Sequence, residues 1–418
     1  MVDVGQVRRL LVAPSMASAI TQLPGFLHRK LNTLDGHAGS APWGPGSPGP
    51  TLAARQWAKG TKDVARRRAQ PAQLPGRRRP GATATGSTTA LVHLKARRMR
   101  TTEVGWVTSE ESPNRTASRA AVYATDLGIL WDDGDGGVLA AFGDSYGAGW
   151  SAPGAGPRHA DWRCNVLAQT PREEPRDGLM LHEWVQDAPG HAAQVLPRGS
   201  RAREETVIPP AGIAHAEVQY LHAMSMRGWD GPGRWRTNHA ALWSSHDCDR
   251  SWRPTGVRWS PRRWWRPDGS RFQMGAFTRD GPHVLLFGTP AGRFGRRTSR
   301  GRPTFGCGRT STAPGWVDSP AAARPVMSAP VAELSVLYHR PSAQWVALTL
   351  DEHRAAIVLR TAPVPTGPWS RGEPVATGEQ YPQLYGGHLH PCSADGDLYF
   401  TMSQWGPYNV RLMRTELG

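Results

Sequence analysis

The apolar residues of this chain fall in short runs rather than at helical spacing. From about residue 120 onward the runs are Val138–Phe142, Cys164–Ala168, Val218–Met224, Ala240–Ser244, His283–Gly288, Leu334–Tyr338, Trp345–Leu350, Ala355–Leu359, Leu398–Ser403 and Val410–Arg414. Gly, Pro, Asp and Asn turn signals separate them. Apolar runs of about 4–8 residues bounded in this way read as strands, and long helical periodicity is absent. The pattern predicts an all-β domain over 120–418. Many short, evenly spaced strands with aromatics among them fit a propeller or a sandwich. At roughly 50–60 residues per blade, within the usual range of about 4–8 blades, the domain predicts a five-bladed β-propeller.

The first 110 residues read differently. Ala41–Pro50 is rich in Pro and Gly, Arg66–Arg68 and Arg77–Arg79 are basic clusters, and Gly81–Thr89 is rich in Gly, Thr and Ala. Such composition buries little apolar surface, so 1–110 is expected to be a disordered, basic extension. The net charge of +16 belongs to it: residues 1–100 carry 17 Lys+Arg against 3 Asp+Glu, and residues 101–418 carry 33 against 31. A near-neutral body without an RNA- or DNA-binding motif speaks against a specific nucleic-acid partner. No apolar run of about 18 residues predicts a transmembrane helix. Arg8-Arg9 before Leu10–Ala13 makes a poor signal peptide, because Pro14 interrupts it. The four cysteines, Cys164, Cys248, Cys307 and Cys392, are far apart and form no CxxC pair, so no structural zinc is expected. His388 and His390 would point the same way on a strand; they read as a sugar contact or as satisfied core histidines, so no metal and no cofactor are expected.

The candidate chemistry lies at a strand end. Phe142-Gly143-Asp144-Ser145-Tyr146-Gly147 closes an apolar run with a carboxylate where the backbone leaves the sheet. Eighteen residues upstream, Ala124-Thr125-Asp126-Leu127-Gly128 presents a second. Two acids on neighbouring strand ends can form a glycosidase pair. Spacing alone favours the plainer reading, in which each Asp satisfies its own turn. Two further segments fit a propeller. Ser245-His246-Asp247-Cys248-Asp249-Arg250-Ser251-Trp252 resembles an Asp-box turn, with Asp249 where Gly is usual. Arg360–Pro363 with Thr366-Gly367-Pro368-Trp369 resembles a blade-closing segment of carbohydrate-active propellers. Residues 296–313 break the cadence with Arg, Gly, Thr and Ser, which an unusual loop or a local reading-frame error would explain.

A series of ordered segments resembles the actinobacterial domain-of-unknown-function 4185 family, which is similar to the glycoside hydrolase family 183 endo-D-arabinanases. They are Thr125–Gly128, Phe142–Asp144, Trp162–Asn165, Glu205–Pro209, Trp235–Asn238, Phe272–Met274, Gly288–Arg293, Glu333–Val336, Pro365–Trp369, Tyr385–His388 and Met402–Val410. The resemblance covers 120–418 and says nothing of 1–100. It implies a five-bladed propeller that cleaves α-linked D-arabinofuranose polymers of a mycobacterial-type cell wall, secreted or in the cell envelope, acting as a monomer. It also implies Asp126 and Asp144 as the catalytic pair, with Asp126 the acid and Asp144 the ionised partner. Trp162, Arg163, Asn165, Glu205, Asn238, Glu333, Tyr385, His388, Trp405, Tyr408 and Asn409 are then the expected sugar contacts. Glu333 has a plainer reading, an ion pair with Arg360 or Arg293. A non-catalytic sugar-binding propeller is the alternative function.

Overall fold

The computed structural model describes residues 99–417 apart from 158, 200–202, 248–249, 262–267, 295–305, 308–324 and 329. The chain enters on β1 (Arg100–Trp106) and a one-turn helix, Thr116–Ala120. It then builds a sheet from β2 (Leu127–Asp132) and β3 (Gly137–Phe142), joined by β6 (Val166–Pro171) and β7 (Glu183–Trp184). Two small hairpins stand beside it: β4 (Ser145–Tyr146) with β5 (Trp162–Arg163), and β8 (Gln186–Ala188) with β9 (His191–Ala192). The second sheet orders β10 (Thr206–His215), β11 (Val218–Gly231), β12 (Arg234–Ser245) and β13 (Arg253–Trp259). A three-stranded sheet follows, β14 (Met274–Asp280), β15 (His283–Thr289) and β16 (Gly306–Cys307). Next come β17 (Leu334–His339), β18 (Gln344–Asp351), β19 (Ala356–Ala362) and β20 (Glu373–Thr377). The last sheet holds β21 (Leu384–Leu389), β22 (Leu398–Gln404) and β23 (Asn409–Glu416), with β1 as its outer strand.

The result is an all-β, propeller-like arrangement of four four-stranded blades, together with the three-stranded sheet. Every named strand pairing is antiparallel. The leading strands pack side by side in cyclic order: β2 on β10, β10 on β14, β14 on β17, β17 on β21 and β21 on β2. Their positions follow from sequence. Strands such as β2 and β21 are buried along almost their whole length, whereas β13 and β20 expose most of their N-terminal residues. A strand covered on both faces must be apolar throughout, while an outer strand can alternate. The main core gathers Ile129, Leu139, Leu221, Leu348, Ile357 and Phe400 from several sheets. No helix among the described residues is long and apolar enough to cross a membrane.

All ten apolar runs read from sequence coincide at least in part with strands. The boundary at residue 110 is corrected. Arg100–Trp106 pairs in register with β23, from Arg100 against Glu416 to Trp106 against Arg411. The Arg411 guanidinium covers the Trp106 ring at 3.6 Å. This segment looks like part of a polar arm because its β-type pairing partner lies at the far end of the chain. Residues 1–98 of the expected extension lie outside the described residues. So does most of 296–313, of which Gly306 and Cys307 pair with β15. Cys164 and Cys392 are free thiols.

The Asp-box-like turn joins β12 to β13. Asp247 accepts from the Ser245 hydroxyl at 2.8 Å and from the Ser251 N–H at 2.9 Å, and Trp252 is buried. Hydrogen bonds from Ser251 hold the Asp247 carboxyl down at about 2. Cys248 and Asp249 lie outside the described residues.

A chain starting at Glu110 lacks β1 and should melt about 5–10 °C below one starting at Met99, since even a few kcal/mol moves a large domain's midpoint by degrees. Differential scanning calorimetry of the two chains checks this. Asp247→Ala should lower the midpoint as well, with no loss in whatever the mouth of the propeller does.

Candidate active site

The site residues stand at one end of the sheets, where leading strands begin and their neighbours finish. Asp126 immediately precedes β2, Glu205 precedes β10, Glu333 precedes β17, and Tyr385 is the second residue of β21. Asp144 lies two residues past β3, Arg293 four past β15, and Tyr408 in the β22–β23 turn. Chain direction alone puts all of them at the same mouth, because each leading strand runs away from it and the next strand returns.

Asp126 is partly buried. Its Oδ2 accepts the Tyr385 hydroxyl at 2.9 Å, and its Oδ1 is shielded from solvent without a hydrogen-bond partner among the described residues. The backbone around it is constrained. Leu127 holds φ at 70° and Tyr408 at 51°, both left-handed and both non-glycine, and the Thr125 N–H donates to the Tyr408 carbonyl at 2.8 Å. Strain of this kind persists only where the surroundings impose it. Gly143 is the closest approach: a Cβ there would lie 2.3 Å from Asp126 Oδ1. Burial raises the Asp126 carboxyl to about 7, the charge of Asp144 adds to the rise, and Tyr385, Tyr408 and Arg293 oppose it.

Asp144 is held differently. It is buried, and its Oδ1 accepts from Trp162 Nε1 at 3.1 Å and from the Thr206 hydroxyl at 2.5 Å. Donors aimed at a carboxylate favour its ionised form. The pair is therefore asymmetric, with one carboxyl poised to keep a proton near neutrality and one supplied with donors. That asymmetry is what acid and base roles on two carboxylates require.

Glu333 pairs with Arg293, as the plainer reading of the sequence expected. Its Oε1 accepts from Nε at 3.0 Å and stands 2.9 Å from Nη2. Its Oε2 is buried with no partner among the described residues. Arg360 instead donates to Thr349 and to the Ser370 carbonyl. Tyr408 forms an aromatic corner with Trp405 and Tyr146, at centroid distances of 5.5 and 5.8 Å. Trp162 lies under the Arg198 guanidinium at 5.2 Å. Asn238 donates to Ser225, and the Glu205 N–H donates to the Met226 carbonyl. His388 is buried on β21, and burial pushes its imidazole down to about 4, so it stands neutral.

Three of the expected sugar contacts have their polar atoms turned into the scaffold. Arg163 donates to the carbonyls of Ala192 and Ala121 and pairs with Asp161. Asn165 donates to the Leu196 and Val207 carbonyls and accepts from the Leu196 N–H. Asn409 accepts from Thr108 and donates toward the Tyr123 and Pro407 carbonyls. These three brace loops and blade junctions. Thr206 and Arg293 enter the site without having been singled out as contacts. The available signal for Arg293 was a lone cation just past an apolar strand end. Among the described residues, no group of three or more His, Cys, Asp or Glu could hold a metal ion.

The fold is all-β and propeller-like, with Asp126 and Asp144 at one end of its sheets. The chain belongs to the domain-of-unknown-function family DUF4185, whose model matches residues 111–414. It is 28% identical over 323 residues to "Notoamide biosynthesis cluster protein J" of Aspergillus sp. (strain MF297-2), covering 69% of this chain and 81% of that one. It is 27% identical to protein J' of Aspergillus versicolor over 354 residues, 75% of this chain and 92% of that one. Among solved structures it is similar to a putative hydrolase from Bacteroides ovatus, with 13% identity, 72% and 88% of the two chains covered, and a TM-score of 0.49. It is also similar to Zg3597, a family 117 glycoside hydrolase of Zobellia galactanivorans, with 9% identity, 77% and 90% covered, and a TM-score of 0.45.

Gly143→Ala tests the cradle. Gly143 lacks a left-handed φ, so Ala fits the backbone and the fold should survive. The added methyl must displace the Asp126 carboxyl, and the mouth's activity should fall by at least about 10²-fold, the low end of what a positioned acid contributes. A melting curve beside a rate measurement checks both halves.

Proposed function

We propose that the protein is a glycoside hydrolase in which Asp126 protonates the leaving oxygen and Asp144 activates water or attacks the anomeric carbon. The observation that carries this reading is the asymmetric pair: Asp126 titrating at about 7 beside a donor-supplied Asp144. An acid poised near neutrality can donate a proton that an ordinary aspartate has already lost. Tyr408 and Tyr146 are buried, so the half-buried Trp405 ring is the face that this corner leaves for a sugar.

The resemblance to the endo-D-arabinanases supports α-linked D-arabinofuranose polymers of the cell wall as the substrate. That substrate would put the protein outside the cytoplasm or in the cell envelope, working as a monomer. The relatives from Aspergillus are named for a notoamide biosynthesis cluster, so the substrate rests on the site and on the matched segments. The cyclic packing of the leading strands supports a five-bladed count, with the β14–β16 sheet as the remaining blade.

The experiment is sugar release from purified mycobacterial arabinogalactan by a chain starting at Met99. Asp144→Asn and Asp126→Asn should each reduce turnover by roughly 10²–10⁴-fold. Near-normal turnover in Asp144→Asn would remove it from the mechanism. Binding of arabinan without any release would favour the sugar-binding alternative.

The pH dependence has a definite sign. Turnover should decline as pH rises through about 7, because Asp126 then loses the proton it must donate. Stability should decline with it. Between roughly pH 4 and 7 the unfolded chain releases this proton while the folded one keeps it, so unfolding gains as pH rises. Asp126→Asn should remove that part of the slope, which melting temperatures of both proteins across pH 4–8 would read.

A further inference from the structure

Arg293 is a deeply buried cation at this mouth, and the reaction just described assigns it nothing. Its backbone N–H donates to the Gly233 carbonyl at 2.8 Å, in the turn between β11 and β12. Those two strands are long, and their turn meets the loop that carries Arg293. The side chain then meets four groups. Glu333 Oε1 takes Nε and Nη2, and Glu352 Oε2 lies 3.7 Å from Nη1. The guanidinium carbon stands 4.9 Å from the Tyr385 ring centroid and 6.0 Å from that of Trp235. Tyr385 in turn donates to Asp126. Two carboxylates, one cation, one ring and the acid therefore stand in series.

A planar guanidinium against an aromatic face is attracted to it and restricts how the ring can turn. Two carboxylates on one guanidinium keep it charged, and burial alone would work against that charge. The groups facing Asp126 are Asp144, Tyr385, Tyr408 and Arg293, so Arg293 is the one cation named among them. The groups facing Arg293 are Glu333, Glu352 and Tyr385.

We propose that Arg293 positions the acid: clamped by Glu333 and Glu352, it fixes the Tyr385 ring so that its hydroxyl donates to Asp126, and it supplies the positive charge that favours the carboxylate once the proton has left. The proposal rests on the reading of Asp126 as the acid. Arg293 is a positioning residue, since it acts on the reacting proton only through Tyr385 and through its charge. A merely structural ion pair between β15 and β17 would lower the melting temperature and leave the titration of Asp126 where it was.

The test follows Asp126 directly, by ¹³C NMR of the full chain labelled at aspartate carboxyl carbons, with Asp126→Asn to assign the signal. Tyr385→Phe and Arg293→Met should each raise the Asp126 midpoint by about one unit or more, the usual size of a lost neighbour. Arg293→Lys should restore part of the difference. Glu352→Gln should move the midpoint down, because the cation is then less neutralised. The alkaline limb of sugar release should shift in the same directions. A folded Arg293→Met protein with an unmoved midpoint overturns the proposal. If that protein does not fold, an unmoved or raised midpoint in Glu352→Gln overturns it. Midpoints that move as expected in a protein that releases no sugar support the Arg293 role and overturn the hydrolase reading alone.

Discussion

The junction between the first and last sheets holds the rest of the structure in place. β1 supplies the outer strand of a sheet whose other three strands end the chain, and the Thr101 and Thr415 hydroxyls meet across it at 2.8 Å. The seam continues to the mouth. The Leu127 N–H donates to the Ser403 hydroxyl at 2.8 Å, and the Thr401 hydroxyl donates to the Gly128 carbonyl at 2.6 Å. These bonds place the backbone of Asp126 against the last sheet, which is how Tyr385 reaches an acid 259 residues away. Closing so long a loop carries an entropic cost that grows slowly with length, so one well-paired seam can hold it. The surroundings of Asp126 are thus a product of the paired seam.

The second constraint is electrostatic. Two carboxyls share a mouth that is largely shielded from water, and like charges in such a place cannot both ionise cheaply. The scaffold breaks the tie through hydrogen bonding. Asp144 receives an indole N–H and a hydroxyl on one oxygen, whereas Asp126 receives the Tyr385 hydroxyl on one oxygen and leaves the other, beside Gly143, without a partner among the described residues. Identical side chains stand in different surroundings because one is supplied with two donors and the other with one.

Much of the fold was legible because interior strands carry apolar runs. What escaped did so for identifiable reasons. β10 contains Pro209 and Pro210 beside a register shift between Ile208 and Ala211, and β21 contains Gly386 and Gly387. Both break the pattern of a strand while sitting at the crowded centre, where small residues let strands approach. At Gly212, a Cβ would collide with the Trp131 ring at 2.5 Å. β1 escaped because its partner is the far terminus. In the site, Asp126, Asp144, Tyr385 and Tyr408 were legible from ordered segments. Arg163, Asn165 and Asn409 lie in the same series of ordered segments, and a matched segment cannot say whether a donor faces a ligand or a backbone carbonyl. Arg293 closed an ordered segment and offered itself as an ion-pair partner, but sequence does not place the Tyr385 ring and Asp126 near it.

The location of these groups follows from the fold's own limits. Mid-strand positions are taken by side chains such as Ile129 and Leu348, which fill the core. A carboxyl there would lose its hydration with nothing to replace it, at a cost that burial of apolar neighbours cannot offset. At the strand starts the backbone leaves the sheet, so donors from adjoining turns can converge, and the side chains stay close enough to the core to be partly desolvated. Asp126 occupies that boundary. Placed deeper it would remain neutral at any working pH, and placed further out it would titrate like a surface aspartate. Its protonation near neutrality depends on standing at the edge of a packed centre, with Asp144 pushing the proton on and Arg293 and Tyr385 pulling it off.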